Sequence, residues 1–221
     1  MKTAILVDGG FYRRRSYNAY GELSPKESAD KLYNYCKRHL NSHGENNELY
    51  RIFYYDCPPM AKQVYHPLLH RTIDFGKSET YLWTNKFFEE LKTKRKVALR
   101  MGELSEQQAR YILKDSALKK LINGDLEPSK LKETDFIFNV DQKGVDMRIG
   151  LDIASLAYKK QVNQIVLISG DSDFVSAAKL ARREGIDFIL DALHANIKPN
   201  LFEHIDGLRT CDNSFKSKKR N

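Results

Sequence analysis

The longest apolar runs in the chain are short, and each stops at turn residues. Residues 3–7 (TAILV) end at Asp8-Gly9-Gly10, and residues 164–168 (QIVLI) end at Ser169-Gly170. Residues 186–190 (IDFIL) form a third run, and residues 49–55 (LYRIFYY) form an aromatic-rich fourth that halts at Asp56-Cys57-Pro58-Pro59. Runs of this length, apolar without alternation and bounded by turn signals, predict strands covered on both faces. A further strand is expected over 96–101 (KVALRM), and Phe136–Phe138 is a short strand candidate.

Between these runs the apolar spacing turns helical. Ser24-Pro25-Lys26-Glu27 carries a helix start, with Ser24 as cap, Pro25 in the first turn and Glu27 closing a capping box. That helix should reach about His39. Residues 79–94 place Phe87, Phe88 and Leu91 on one side, as a helix packed on a sheet requires. Helices are also expected over 145–160 and 174–184, the second closed by Gly185. Phe11 to Tyr20 reads as an aromatic and basic loop, because Gly9-Gly10 open no obvious helix. Residues 103–134 are polar and charge-balanced and read as an insertion or cap. Apolar strands alternating with helices predict an α/β fold, a three-layer sandwich around a mainly parallel sheet. The expected organisation is one domain over residues 1–210 and a basic C-terminal tail over 211–221.

Composition narrows the function classes. Of 221 residues, 41% are hydrophobic and 30% charged, which excludes wholesale disorder. The net charge of +8 favours polyanionic partners, nucleic acid first among them. Three cysteines without a CxxC pair give no disulfide framework and no zinc spacing. They suit a reducing compartment. The run Ala4–Val7 is too short for a signal peptide, and no stretch reaches the length of a membrane span. A cytoplasmic protein without a membrane partner is therefore expected. The oligomeric state is left open, a homo-oligomer included.

The candidate chemistry lies in aspartates at strand exits, because open parallel sheets bind ligands at the carboxyl ends of their strands. Asp8 follows the first strand directly. Asp171 follows the 164–168 strand closely, and Asp173 opens the next helix. Each can also be read as a helix cap. Two aspartates two residues apart exceed what one cap needs, and a cation relieves their repulsion. Asp146 opens the 145–160 helix on the side of Ile149 and Ile153, where a charge needs a partner. Asp152 shares a stripe with Arg148, Ser155 and Lys159 and reads as a salt-bridged face residue. If Phe136–Phe138 runs antiparallel, connectivity alone does not bring Asp146 to the rim. A carboxylate-only set points to Mg²⁺ or Mn²⁺, which can hold a phosphodiester and activate water, with a second ion about 4 Å away as an option. Arg13, Arg14 and Arg15, interleaved with Phe11, Tyr12 and Tyr17, are candidates to grip phosphates and stack bases, against a solvated-loop reading.

Three segments together resemble the NYN-domain family, the LabA-like members of the PIN-like nuclease superfamily. They are Leu6-Val7-Asp8-Gly9-Gly10-Phe11, Lys143-Gly144-Val145-Asp146 with Asp152 beyond, and Ser169-Gly170-Asp171-Ser172-Asp173-Phe174. The resemblance implies a PIN-like Rossmannoid fold and a metal-dependent ribonuclease using Mg²⁺ or Mn²⁺. It implies RNA rather than DNA as the partner. Residue by residue it places Asp8, Asp146, Asp171 and Asp173 in the metal site. Lys143 joins the arginines as a candidate nucleic-acid contact, and Asp152 and Ser169 form a second tier. Many relatives carry asparagine where this chain has Phe11, so a ligand-orienting amide is missing. The alternative, from another class, is a nucleic-acid-binding or regulatory module that keeps the acidic pocket for a structural ion. An aspartyl-nucleophile phosphatase is disfavoured by Gly10, zinc chemistry by the lack of HExxH spacing, and a dinucleotide site by the lack of GxGxxG.

Overall fold

The computed structural model describes residues 1–42 and 45–216. One sheet dominates. Its strands are β1 (Lys2–Asp8), β2 (Glu48–Asp56), β3 (Val97–Met101), β4 (Gln164–Ile168), β5 (Asp187–Asp191) and β6 (Gly207–Leu208). They lie in the order 6-5-4-1-2-3, and every pairing is parallel. The order reverses between β1 and β4, which is where open α/β sheets form their ligand crevice. The helices are α1 (Gly9–Tyr20), α2 (Pro25–Arg38), α3 (Glu79–Lys92), α4 (Asp115–Ile122), α5 (Val145–Tyr158), α6 (Val175–Arg183) and the one-turn α7 (Pro199–Phe202).

Side chains alternate across a strand, so each strand feeds two cores. Ala4, Leu6, Phe53, Tyr55, Leu167 and Leu190 pack with Ile149, Ile153 and Ala178 of α5 and α6. Ile5, Val7, Ile52, Tyr54 and Ile168 pack with Tyr12, Leu32 and Phe87 of α1, α2 and α3. Both faces are covered, which is why β1 and β4 read as unbroken apolar runs. The expected three-layer architecture is the one observed. The α2 start is also as read: Ser24 Oγ accepts from the Glu27 amide, and the Glu27 carboxylate accepts from the Ser24 amide at 2.9 Å.

Three expectations change, and one open point is settled. Phe11 to Tyr20 is helix, not loop: α1 begins at Gly9, directly after β1. The strand Phe136–Asn139, whose direction the sequence leaves open, pairs antiparallel with Arg110–Leu113, outside the main sheet. The insertion is wider than 103–134 and comes in two parts. A hairpin of Gln63–His66 and Arg71–Asp74 joins the 110–139 ribbon through aromatic packing. His66 lies 4.2 Å from Tyr111 between ring centroids, and Phe75 lies 4.2 Å from Phe138. Finally, the segment assigned to the tail belongs to the domain as far as Phe215. Phe215 is buried, with its ring 5.3 Å from that of Tyr35 and 5.4 Å from that of Tyr20. Residues 217–221 of the expected tail lie outside the described residues. Among the described residues, no helix is long and apolar enough to cross a membrane.

Gly9 explains how a helix follows β1 without a loop. A Cβ built on Gly9 would stand 2.6 Å from the Tyr55 carbonyl oxygen and 2.5 Å from the Tyr54 ring. Only a residue without a side chain lets α1 start this close to β2. The neighbour is sheet backbone, which cannot yield. We expect Gly9→Ala to destabilise the fold by about 1–3 kcal/mol, the usual cost of overpacking, despite the better helix propensity of alanine. Urea denaturation measures this. An unchanged midpoint would mean that α1 can ride off the sheet freely.

Candidate active site

Three strands of the sheet end on aspartate: β1 on Asp8, β2 on Asp56 and β5 on Asp191. Their surroundings differ. Asp56 is buried, with Oδ2 2.9 Å from Arg13 Nη2. It also accepts from the Tyr54 hydroxyl at 3.0 Å and from the Cys57 amide at 2.8 Å. Asp191 is fully buried and saturated. Its Oδ1 accepts from the Leu193 amide and the Thr210 hydroxyl, while its Oδ2 accepts from the Tyr35 hydroxyl and lies 2.9 Å from His39 Nε2. Asp8 has neutral partners: its Oδ1 caps α1 by accepting from the Phe11 amide at 3.0 Å, and its Oδ2 accepts from Ser169 Oγ at 3.2 Å.

Ser169 connects the two acidic segments. It is buried at the end of β4, adjacent to β1, and its oxygen also accepts from the Asp171 amide at 3.2 Å. Asp171 in turn accepts from the Asp173 amide at 3.0 Å, capping a single helical turn, Ser172–Phe174, that leads into α6. The cap readings of Asp8 and Asp171 therefore hold, yet each cap uses one carboxylate oxygen. Gly170 packs under Phe11, whose ring would lie 2.6 Å from a Cβ at that position.

Asp146 reaches the same region by another route. Since Phe136–Asn139 is outside the sheet, the strand order does not place it. A short pairing of Gln142–Lys143 with Glu103–Leu104 does so instead. Gly102 lies against the Lys143 carbonyl and donates its amide to the Asp56 carbonyl at 2.7 Å. Gly144 then turns the chain at φ +79°, a conformation that favours glycine, and α5 begins with Asp146 in its exposed first turn.

The electrostatics tie these groups together. Burial raises the Asp8 pKa above its ordinary 3.8; the Phe11 amide and Ser169 lower it, and the charges of Asp146 and Asp56 raise it. Partial burial raises that of Asp146, and the charges of Asp171 and Asp173 add to the rise. The structure thus brings Asp146 within electrostatic reach of the other three predicted aspartates. Among the described residues, however, no group of three or more His, Cys, Asp or Glu side chains is poised to enclose a metal ion.

The basic residues divide. Consecutive residues on a helix point about 100° apart, so the three arginines of α1 cannot act as one patch. Arg13 is committed to Asp56, and Arg15 donates to the carbonyls of Leu193 and Phe215 at 2.5 and 2.6 Å. Arg14 faces solvent. Lys143 is exposed three residues before Asp146. Asp152 is salt-bridged, though not along its helix stripe: it pairs with Arg100 of β3 at 3.0 Å and accepts from the Tyr55 hydroxyl of β2 at 2.7 Å. Sequence reasoning missed Asp56. It ends an apolar run as Asp8 does, and the same strand-exit rule would have found it.

Comparison with known proteins agrees with the motif reading. The sequence model described as the NYN domain matches residues 2–204. No curated protein matches the chain. Among solved structures, a protein of unknown function from Vibrio parahaemolyticus is 15% identical, with 97% of this chain and 94% of that one covered, at a TM-score of 0.48. A noncanonic maltogenic alpha-amylase from Thermotoga neapolitana is 10% identical, with 94% of this chain and 48% of that one covered, at a TM-score of 0.24. Neither likeness is close enough to support an argument.

Two expectations follow from this geometry. The folded chain holds the Asp8 proton more tightly than the unfolded chain, so stability falls as pH rises from 3.8 through the raised folded value. Asp8→Asn removes that penalty and keeps the cap, since asparagine caps as well as aspartate. At pH 7 in EDTA the variant should melt higher than wild type, by about 2–4 °C for each kcal/mol relieved, and the gain should fade as pH drops toward 3.8. A variant that melts lower at pH 7 would contradict an uncompensated Asp8. Arg13→Ala should cost about 3–5 kcal/mol by leaving Asp56 buried and unpaired. Arg14→Ala should leave stability unchanged and reduce the slope of log K for RNA against log salt by about one. Equal stability losses in both variants would refute the division of labour along α1.

Proposed function

The chain belongs to the NYN domain family, and from that premise we propose that it is an Mg²⁺- or Mn²⁺-dependent endonuclease that hydrolyses RNA. The family places it among nuclease-like, RNA-related domains. The finer reading rests on one observation above all. Of the three strand-terminal aspartates, Asp8 alone has neutral donors with, among the described residues, no basic partner or saturated shell, and it feels the charge of Asp146.

The residues fit a hydrated cation better than a dehydrated one. All donors are carboxylate oxygens, the set preferred by hard cations. Magnesium keeps several waters and binds through one or two carboxylates together with substrate phosphate, so a closed three-acid shell is not required. Asp8 and Asp146 would hold the ion, and Asp171 and Asp173 would complete its surroundings through water. When bound, the ion would supply charge neutralisation at the phosphodiester and activation of water. The chain's own residues do the positioning. Ser169 fixes the Asp8 carboxylate and the Asp171 backbone together, and Asp171 fixes the turn that carries Asp173. Arg14 and Lys143, both exposed, would meet phosphates.

The test is Asp171→Asn beside wild type on labelled single-stranded RNA, with Mn²⁺, with Mg²⁺ and with EDTA. Asparagine retains the cap to the Asp173 amide, so folding should survive, and removal of one negative charge should leave metal-free RNA affinity equal or higher. Cleavage should fall by at least about 100-fold, the scale of losing charge stabilisation in the reacting state. Metal-dependent cleavage that persists undiminished in the variant would remove Asp171 from the chemistry. A wild type that binds RNA but cuts it with no metal would favour the non-catalytic binding module.

A further inference from the structure

Beside the acidic edge, a groove between α1, α2 and α3 holds a cavity of about 470 Å³. It is lined by Tyr12, Arg13 and Ser16 of α1 and by Trp83, Thr84 and Phe87 of α3, among others. Its wall is aromatic: Trp83 stacks on Phe87 with centroids 5.2 Å apart and planes 18° from parallel. Two of its lining side chains carry polar atoms shut away from solvent, the Tyr12 hydroxyl and Arg13 Nε, so a molecule in the cavity would meet the aromatic wall rather than these atoms.

The cavity's place and charge say which partner. Arg13 lines it while its terminal nitrogen holds Asp56, whose charge in turn raises the pKa of Asp8. One side chain therefore spans from the cavity to the acidic edge. Glu22 and Glu79 also line it, and they oppose a phosphate inside. A neutral, flat group on a strand whose phosphates stay outside meets these conditions. Base–aromatic stacking is a recurrent means of holding single-stranded nucleic acid.

We propose that this cavity takes one nucleobase of the bound RNA strand, stacked against Trp83, while a neighbouring phosphate lies at the Asp8 edge. The proposal rests on the nuclease reading for its substrate, and it names the subsite that sets which nucleotide lies beside the cleaved bond.

Trp83 is the sole tryptophan of the chain, so its fluorescence reports the cavity directly. The probes are the four single-base RNA trinucleotides and an abasic trinucleotide of the same length, titrated into the full chain in EDTA, where no cleavage intervenes. At least one base-bearing trinucleotide should shift Trp83 fluorescence saturably, and the abasic strand should not. Ser16→Leu, which fills the cavity from α1, should weaken that binding at least tenfold. If it fails to fold, Thr80→Phe at the exposed mouth should do the same. The proposal falls if no trinucleotide shifts the fluorescence, if the abasic strand acts equally, or if the filled variant binds undiminished. RNA cleavage without a base-dependent shift would overturn the subsite and leave the nuclease reading intact. A base-dependent shift without cleavage would do the reverse.

Discussion

The arrangement depends on one constraint: a carboxylate at the end of a buried strand must be compensated. Parallel strands bring their carboxyl ends to one edge, and here β1, β2 and β5 all finish on aspartate there. Removing a carboxylate from water costs several kcal/mol unless donors or an opposite charge replace the solvent. Asp56 has a guanidinium, and Asp191 has two side-chain hydroxyls, an amide and an imidazole. Those bonds also join elements far apart in sequence, tying β2 to α1, and β5 to α2 and the segment around Thr210. Asp8 has an amide and a hydroxyl, and faces further negative charge. The deficit of positive charge at the edge is therefore localised at the β1–β4 switch point.

Much of this was legible because the sheet is covered on both faces. Such strands lose the alternation that would compete with a helical pattern, and β1, β4 and β5 stand out as plain runs. The capping box of α2 was legible for a local reason, since its partners are three residues apart. What failed depended on distant partners. Two glycines argue against a helix start, yet Gly9 is there because Tyr54 and the Tyr55 carbonyl leave no room for a side chain. Tertiary packing overrode propensity. The direction of Phe136–Asn139 stayed open because an apolar run carries no mark of its partner. The fates of the three arginines followed from missing α1. Once that stretch is helical, Arg13, Arg14 and Arg15 must diverge. The four aspartates were located by strand exits and motif spacing. The coupling of Asp8 to Asp56 could have been anticipated by the same rule.

The departure at Phe11 has a structural consequence. Where an asparagine could orient a carboxylate through its amide, Phe11 offers only its backbone N–H to Asp8 and its ring to Gly170. The ring clamps the turn that carries Asp171 and Asp173 against the start of α1. Orientation of the two acidic segments passes to Ser169, whose hydroxyl donates to Asp8 and accepts from the Asp171 amide. The first and third motifs are thus held by packing and one hydroxyl, both from buried or half-buried groups that solvent does not compete for.

That division of holding and charge accounts for the lack of a preformed acid shell among the described residues. Four like charges brought into ligand contact without a cation would repel strongly in a partly desolvated setting. The fold avoids that cost by fixing Asp8 and Asp171 through caps while leaving Asp146 and Asp173 toward solvent on the first turns of their own helical segments. In the proposed reading a bound cation would relieve the carboxylates, and a substrate phosphate would supply oxygens that the chain does not. Asp146 is held differently: it is the one acid placed by α5 rather than by β1 or β4, and the Gly144 turn before it is tied to the sheet edge through Lys143, Gly102 and the Asp56 carbonyl.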